Sequence, residues 1–210
     1  MVRILLADDH TVVREGVKRI LQDIPDLEVA DEATTGQEVL AWAETNTCDV
    51  VLLDISLPGA NGLETLKQLR RKQTMLPVLM FSVHPEEQYA VRALKAGASG
   101  YLTKGCEPHE LIAALRKVAQ GGKYISATLA ERLVDEVAMD SSKLPHEHLS
   151  DREYQVLCML ASGKSATEIA DILSLSVKTI STHRARILRK MQMKTNAELI
   201  HYALQQGLID

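Results

Sequence analysis

The chain has 210 residues, of which 46% are hydrophobic and 25% charged, and against a typical domain of roughly 150 residues that length suits one large or two small globular domains. That composition excludes disorder, collagen and a disulfide scaffold as overall classes, and no apolar stretch approaches the roughly 18 residues of a membrane span. The net charge of −4 would argue against nucleic acid, but residues 146–210 carry +1 and the remainder −5, so an acidic front and a locally basic back expect different partners.

In chain order, Arg3–Ala7 is a short apolar run, too short for a signal peptide and closed by Asp8-Asp9. Thr11–Gln22 has helical spacing, Leu27–Ala33 reads as a strand and Gly36–Glu44 as a helix. Val50-Val51-Leu52-Leu53 is a continuous apolar run, as in a strand buried on both faces. Helical 63–71, apolar 77–81, helical 86–96, short 100–103 and helical 108–119 complete five strands alternating with five helices. That alternation predicts a doubly wound, five-stranded parallel sheet of the flavodoxin-like kind. The first domain is read as 1–121 and a linker containing a helix over 128–138 as 122–145, with 139–148 polar. The second domain, 146–210, has no strand pattern. Helices are expected over 150–161, 167–173, 177–191 and 196–206, with Ser150 and Glu153 forming a capping box. Three dispersed cysteines, Cys48, Cys106 and Cys158, suit a reducing compartment, so a cytoplasmic location is expected.

Ligands of an open parallel sheet sit beyond the carboxyl ends of its strands. Those ends carry Asp8-Asp9, Asp54, Ser82 and Lys104. In strand order 2-1-3-4-5 the first and third strands flank the switch point, which brings Asp8, Asp9 and Asp54 together. Three close carboxylates repel unless a cation intervenes, and Mg²⁺ suits a site that also handles phosphoryl oxygens. Any one of these acids alone reads as a solvated loop residue; the whole set does not. Gly59 and Gly62 fit a tight loop that lets the backbone approach a ligand.

Asp8-Asp9, Asp54 followed by Leu57-Pro58-Gly59 and Gly62, Phe81-Ser82, and Gly100-Tyr101-Leu102-Thr103-Lys104 resemble a bacterial two-component receiver domain over about residues 1–120. The resemblance implies that Asp54 is the phosphoacceptor for a sensor histidine kinase. It implies that Asp9, Asp54, the Ser56 carbonyl and, through water, Asp8 hold Mg²⁺. Lys104 would pair with the phosphoryl oxygens, Ser82 would bond to them, and Tyr101 would follow inward as a switch. Ser56 and His84, two residues beyond Asp54 and Ser82, would tune phosphate lifetime. The chemistry agrees, because phosphoryl transfer needs an in-line acceptor and charge neutralisation. Gly105 replaces the proline of many receivers, and Ser82 the commoner threonine.

Leu149–Glu153, Gly163-Lys164-Ser165, Glu168-Ile169-Ala170 and Ser176–His183 resemble the helix-turn-helix of LuxR-type regulators. With the receiver, this is the layout of the NarL/FixJ family of response regulators. On a helix wheel Ile187 and Met191 lie within about 20° of Ile180 and form a buried stripe. Lys178, Thr182, Ala185, Arg186 and Arg189 fall about 140–240° away, a face of cations and small side chains suited to a major groove. Thr179, Ser181 and Lys190 complete the expected DNA-binding set. Arg184, about 40° from the buried centre, would have to snorkel toward a phosphate. Leu199, Ile200 and Ala203 on the last helix are a candidate dimer surface. The expected function is a non-enzymatic regulator in which phosphorylation of Asp54 controls homodimerisation, DNA binding and transcription, with RNA polymerase a further partner and no membrane involved. An aspartate-based Mg²⁺ phosphatase would want a second acid where Ser56 stands; a phosphorylation-independent transcription factor is the other alternative. An FMN protein would want rings to stack on the flavin, for which Trp42 and Phe81 offer little, and a quorum-signal regulator would need an apolar front pocket, unlike the charged strand ends.

Overall fold

The structure, a computed structural model, describes residues 1–59, 61–72, 75–138 and 144–209. The chain divides into two compact units, Met1–Glu131 and Arg132–Asp210. In the first, strands β1 (Val2–Ala7), β2 (Leu27–Ala33), β3 (Val50–Leu53), β4 (Val78–Ser82) and β5 (Gly100–Thr103) alternate with helices α1 (Thr11–Leu21), α2 (Gly36–Thr45), α3 (Gly62–Lys72), α4 (Glu86–Lys95) and α5 (Pro108–Ala119). The strands pair in parallel in the order β2-β1-β3-β4-β5.

β3 is the middle strand, and all four of its residues are fully buried. One face of the sheet (Ile4, Leu6, Leu52, Leu79, Phe81) shares a core with Val17 and Leu21 of α1 and Leu111, Leu115 and Val118 of α5. The alternate residues Leu5, Val51, Leu53 and Met80 point the other way and are equally buried. Each such side chain is worth about 1.5–3 kcal/mol relative to exposure, which is why β3 and β4, in the interior of the sheet, carry no polar residue before their carboxyl ends.

This unit extends past the boundary at 121 expected from the sequence. The Tyr124 amide donates to the Ser99 carbonyl and bridges Gly100, the Lys123 ammonium donates to the Ala98 carbonyl, and Ser126 donates to Glu86. Leu129, in helix α6 (Ala127–Ala138), is buried as well. Of the polar stretch 139–148, residues 139–143 lie outside the described residues, and Pro145–His148 forms a 3-10 turn.

The second unit holds α7 (Asp151–Ala161), α8 (Ala166–Ile172), α9 (Val177–Lys190) and α10 (Asn196–Gln205). Each begins with a local stop. The Ser150 and Ser165 hydroxyls accept the amides of Glu153 and Glu168, whose carboxylates reach back to the cap amides. The Ser176 and Thr195 hydroxyls accept the amides of Thr179 and Glu198. Each cap is worth about 1 kcal/mol. Tyr154, Leu157, Ile169, Ile180, Ile187, Leu199 and Ala203 form the core.

Candidate functional site

Register makes the acidic cluster. Ala7 and Leu53 are paired neighbours in β1 and β3, and the Asp54 amide donates to the Ala7 carbonyl at 2.9 Å. The next residues, Asp8 and Asp54, therefore leave the sheet side by side, each only 1% exposed. One register step farther across, Ser82 pairs with Thr103, and the Lys104 amide donates to the Ser82 carbonyl. That delivers the Lys104 ammonium, 7% exposed, to 2.9 Å from Asp54 Oδ2 and 2.6 Å from Asp8 Oδ2. The contact with Asp8 is an ion pair off hydrogen-bond geometry. Asp54 Oδ1 is buried without a hydrogen-bond partner. Burial pushes the Asp54 carboxyl above its ordinary pKa, with Asp8 adding to the effect and Lys104 opposing it. Burial works against the Lys104 ammonium too, but Asp54 and Asp8 outweigh it, and its pKa rises.

Asp8, Asp9, Asp54 and also His10 each bring one ligand atom within 4.8 Å of the others. The residues fit a cation. One cation, Lys104, faces two buried carboxylates, Asp9 adds a third charge, and an orphaned buried oxygen remains. Sequence reasoning missed His10, although its position directly after two acids was in plain view. It also missed Arg14, whose guanidinium donates to the Asp8 carbonyl at 2.8 Å and is itself anchored on Glu32 at 2.7 Å.

The loop after Asp54 is set by glycines, though not as expected. Gly59 has φ +74°, which a side chain would strain. Gly62 makes its close approach to Asp54 itself and not to a ligand: a Cβ there would stand 1.9 Å from the Asp54 carbonyl oxygen.

Around the rim, Ser82 is fully buried, and its Oγ accepts the His84 amide at 3.3 Å. Tyr101 lies inward, 2% exposed, with its hydroxyl donating to the His84 carbonyl at 2.8 Å. Burial raises the Tyr101 pKa and lowers that of His84, the latter with help from Lys104. Ser56 Oγ and His84 Nε2 are 3.2 Å apart, so the two residues expected to tune lifetime touch one another.

On α9, Lys178, Ser181, Thr182, Ala185, Arg186 and Arg189 are exposed, while Ile180, Ile187 and Met191 are buried. The Ser181 and Thr182 hydroxyls donate to the Val177 and Lys178 carbonyls one turn back. Thr179 is half-buried and tied to Ser176 in the cap. Lys190 is not a free cation. Its ammonium sits 2.6 Å from Glu153, which is 3% exposed, because that carboxylate needs a partner once buried. Arg184 is exposed and bonds Asn196 Oδ1 at 2.6 Å, so it does not thread the core. His183 Nδ1 is buried without a partner, and burial lowers its pKa.

The expected dimer surface needs correction. Leu199 and Ala203 are fully buried, because α10 turns this stripe into the core of its own unit; Ile200 is half-buried, and the exposed large apolar residue on α10 is Leu204. Among the described residues, no helix is long and apolar enough to cross a membrane.

A parallel sheet with an acid cluster at its switch point, followed by a helix-turn-helix unit, defines a phosphate-signalling, DNA-binding class of protein. Comparison with known proteins narrows the class. Residues 4–116 match the family model of the response regulator receiver domain, and residues 147–203 that of the bacterial regulatory proteins of the luxR family. The chain is 37% identical over 209 residues to the response regulator UvrY of Escherichia coli K12, covering 99% of this chain and 96% of the relative. It is 39% identical over 210 residues to the response regulator GacA of Pseudomonas protegens, covering 100% and 99%. RcsB of Salmonella enterica serovar Typhimurium, solved bound to a promoter in the presence of a phosphomimetic, superposes with TM-score 0.60 at 25% identity over 98% of both chains. The chain belongs to the NarL/FixJ family of two-component response regulators, which regulate transcription.

Proposed function

We propose that Asp54 receives a phosphoryl group from a phosphohistidine of a sensor kinase and that the acyl phosphate controls DNA binding. The observation that carries this is the split of the Asp54 carboxylate: Oδ2 is held by Lys104, and buried Oδ1 has no partner. An Asp54 oxygen forms the new bond to phosphorus, the phosphorus–nitrogen bond breaks, and the imidazole leaves with the electron pair. Asp8, Asp9, Asp54 and the Ser56 carbonyl would hold Mg²⁺, which supplies charge neutralisation for the transferring group. Lys104 stands ready to trade its Asp54 contact for a phosphoryl oxygen, and the Ser82 hydroxyl to donate to another. Tyr101 would then lock against the repositioned β4–α4 loop. The protein would act in the cytoplasm, as a homodimer when phosphorylated, with RNA polymerase at the promoter; the promoter-bound RcsB structure supports the DNA half of this reading. The test is DNA affinity of the full chain with and without BeF₃⁻. The phosphomimetic is expected to tighten binding. An unchanged affinity would leave a phosphorylation-independent transcription factor.

At the DNA, Lys178, Arg186 and Arg189 would meet phosphates, with Lys190 near the backbone, while Thr179, Ser181, Thr182 and Ala185 lie toward the bases. Phosphate contacts make affinity fall with salt by about 0.9 in log–log slope per phosphate neutralised. Arg186→Ala is therefore expected to flatten the slope by about one unit and weaken all sequences alike. A salt titration by fluorescence anisotropy checks this, and an unchanged slope would contradict the docking.

A further inference from the structure

Arg14 is a cation with only 13% of its side chain exposed, and its hydrogen bonds run to three segments of the chain. Nη1 donates to the Asp8 carbonyl at 2.8 Å, Nε donates to Glu32 of β2 at 2.7 Å, and Nη2 reaches Thr11 Oγ1, at the start of α1, at 3.4 Å. Glu32 also holds Lys18, one turn farther along α1, at 2.7 Å. Lys18 and Arg14 keep the Glu32 carboxyl below its ordinary range against the opposing effect of burial, so the anchor of Arg14 is ionised at neutral pH.

The other acceptor matters more. β1 ends at Ala7, and the Asp8 amide makes a last bond, to the Ala33 carbonyl at 3.0 Å. The Asp8 carbonyl lies past the ladder, and among the described residues no backbone amide donates to it. It belongs to the Asp8–Asp9 peptide, a rigid plane whose rotation re-aims the residues on both sides. Asp8 points a buried carboxylate at Lys104, 2.6 Å away, and Asp9 stands beside it in the acid cluster. A guanidinium can brace this plane and hold a carboxylate at once, because its donors diverge from one flat, rigid group. An ammonium on a flexible stem is a compact point charge and does not span both acceptors.

We infer that Arg14 is a positioning residue for phosphoryl acceptance: it sets the plane of the Asp8–Asp9 peptide, and with it the aim of the two acids beside Asp54, while Glu32 holds it in place. This rests on the reading of Asp54 as the phosphoacceptor. The competing account is that Arg14 only ties α1 to β2 through Glu32, with the carbonyl contact a bystander. The two accounts part at Arg14→Lys. A lysine there keeps the ion pair with Glu32 and gives up the carbonyl, so the tie survives and the brace is lost.

The experiment compares full-length wild type, Arg14→Lys, Arg14→Ala and Arg19→Ala, the last removing a charge from an exposed position on the same helix. Initial rates of phosphorylation by acetyl phosphate with Mg²⁺ are read by intact mass. Thermal unfolding gives stability, and ¹H–¹⁵N spectra without phosphodonor report the Asp9 and His10 amides. Arg14→Lys is expected to be phosphorylated about tenfold more slowly, the lower end of what is lost when a group orienting the ligands of a site is removed, at a nearly unchanged melting temperature. Its Asp9 and His10 amide signals should shift, and those of Arg19→Ala should stay in place. Arg14→Ala should lose at least as much rate, and millimolar methylguanidinium should restore part of it where equal urea does not. A wild-type rate in Arg14→Lys, or unmoved Asp9 and His10 signals, overturns the inference and leaves the acceptor reading standing. Rates that fall only in step with melting temperature, without rescue by methylguanidinium, overturn it in favour of the simple tie. A wild type that gains no phosphoryl group overturns the acceptor reading and the inference with it.

Discussion

Asp54→Asn is expected to abolish phosphorylation by acetyl phosphate and Mg²⁺, leaving no acid-labile phosphate where wild type gains one. The amide keeps the shape of the side chain and an acceptor for Lys104, but the second atom is no longer an oxygen that can attack phosphorus. Phosphate-affinity electrophoresis or intact-mass measurement reads the result directly, and one phosphoryl group on the variant would refute the assignment. The same substitution should raise thermal stability in metal-free buffer at neutral pH. Burial raises the Asp54 pKa above its ordinary 3.8 despite Lys104, so the folded state holds more protons than the unfolded one above that value. Stability then falls as pH rises through this window, and the ionised group remains a cost above it. A neutral amide avoids that cost, and its amino group can donate to the neighbouring acids. The gain should narrow as pH falls toward the ordinary value, because wild type then carries a proton at Asp54 as well.

Gly62→Ala should damage both fold and site. The added Cβ would lie 1.9 Å from the Asp54 carbonyl oxygen and 2.9 Å from Ile55 Cα, and backbone cannot swing aside as a long side chain can. Overpacking costs about 1–3 kcal/mol and occasionally more; with backbone on the receiving side, the upper end of that range is expected. The atoms that must yield belong to the acceptor residue, and a misplacement near 1 Å costs about a hundredfold in rate. Phosphorylation should therefore slow far more than the lost stability explains. Gly105→Ala is the control, since a Cβ there meets nothing within 4 Å; its effect should stay within about 0.5 kcal/mol. Equal behaviour of the two variants would show that the close approach is relieved at no cost.

Most of the fold was legible because its signals are local. Among the described residues, every α-helix and strand lies within one residue of its expected bounds, since apolar periodicity, caps and glycines mark them. The acid cluster was legible because strand-end residues converge once the strand order is known, as Asp8 and Asp54 show. What escaped depends on direction rather than identity. Leu199 and Ala203 are apolar whether they face a core or a partner, and only the packing of α10 decides. Lys190 is basic whether it meets DNA or Glu153, and the buried carboxylate that claims it is 37 residues away in the chain. The end of the first unit was missed for the same reason: Tyr124 and Lys123 attach through main-chain carbonyls, which no side-chain pattern advertises.

The paired serine and glutamate stops at α7 and α8, with the hydroxyl stops at α9 and α10, bear on how the chain acquires its structure. Each of these helices carries its own start signal within four residues, so its nucleation waits on nothing distant. The parallel sheet is the opposite case: β1 must find β3 across more than 40 residues before either strand gains a partner on that side. Contacts between near neighbours close in microseconds to milliseconds, and those between distant segments more slowly. The part of the chain synthesised last is thus the part that can finish first, and a stalled sheet would leave a folded helical bundle attached to an unfinished receiver.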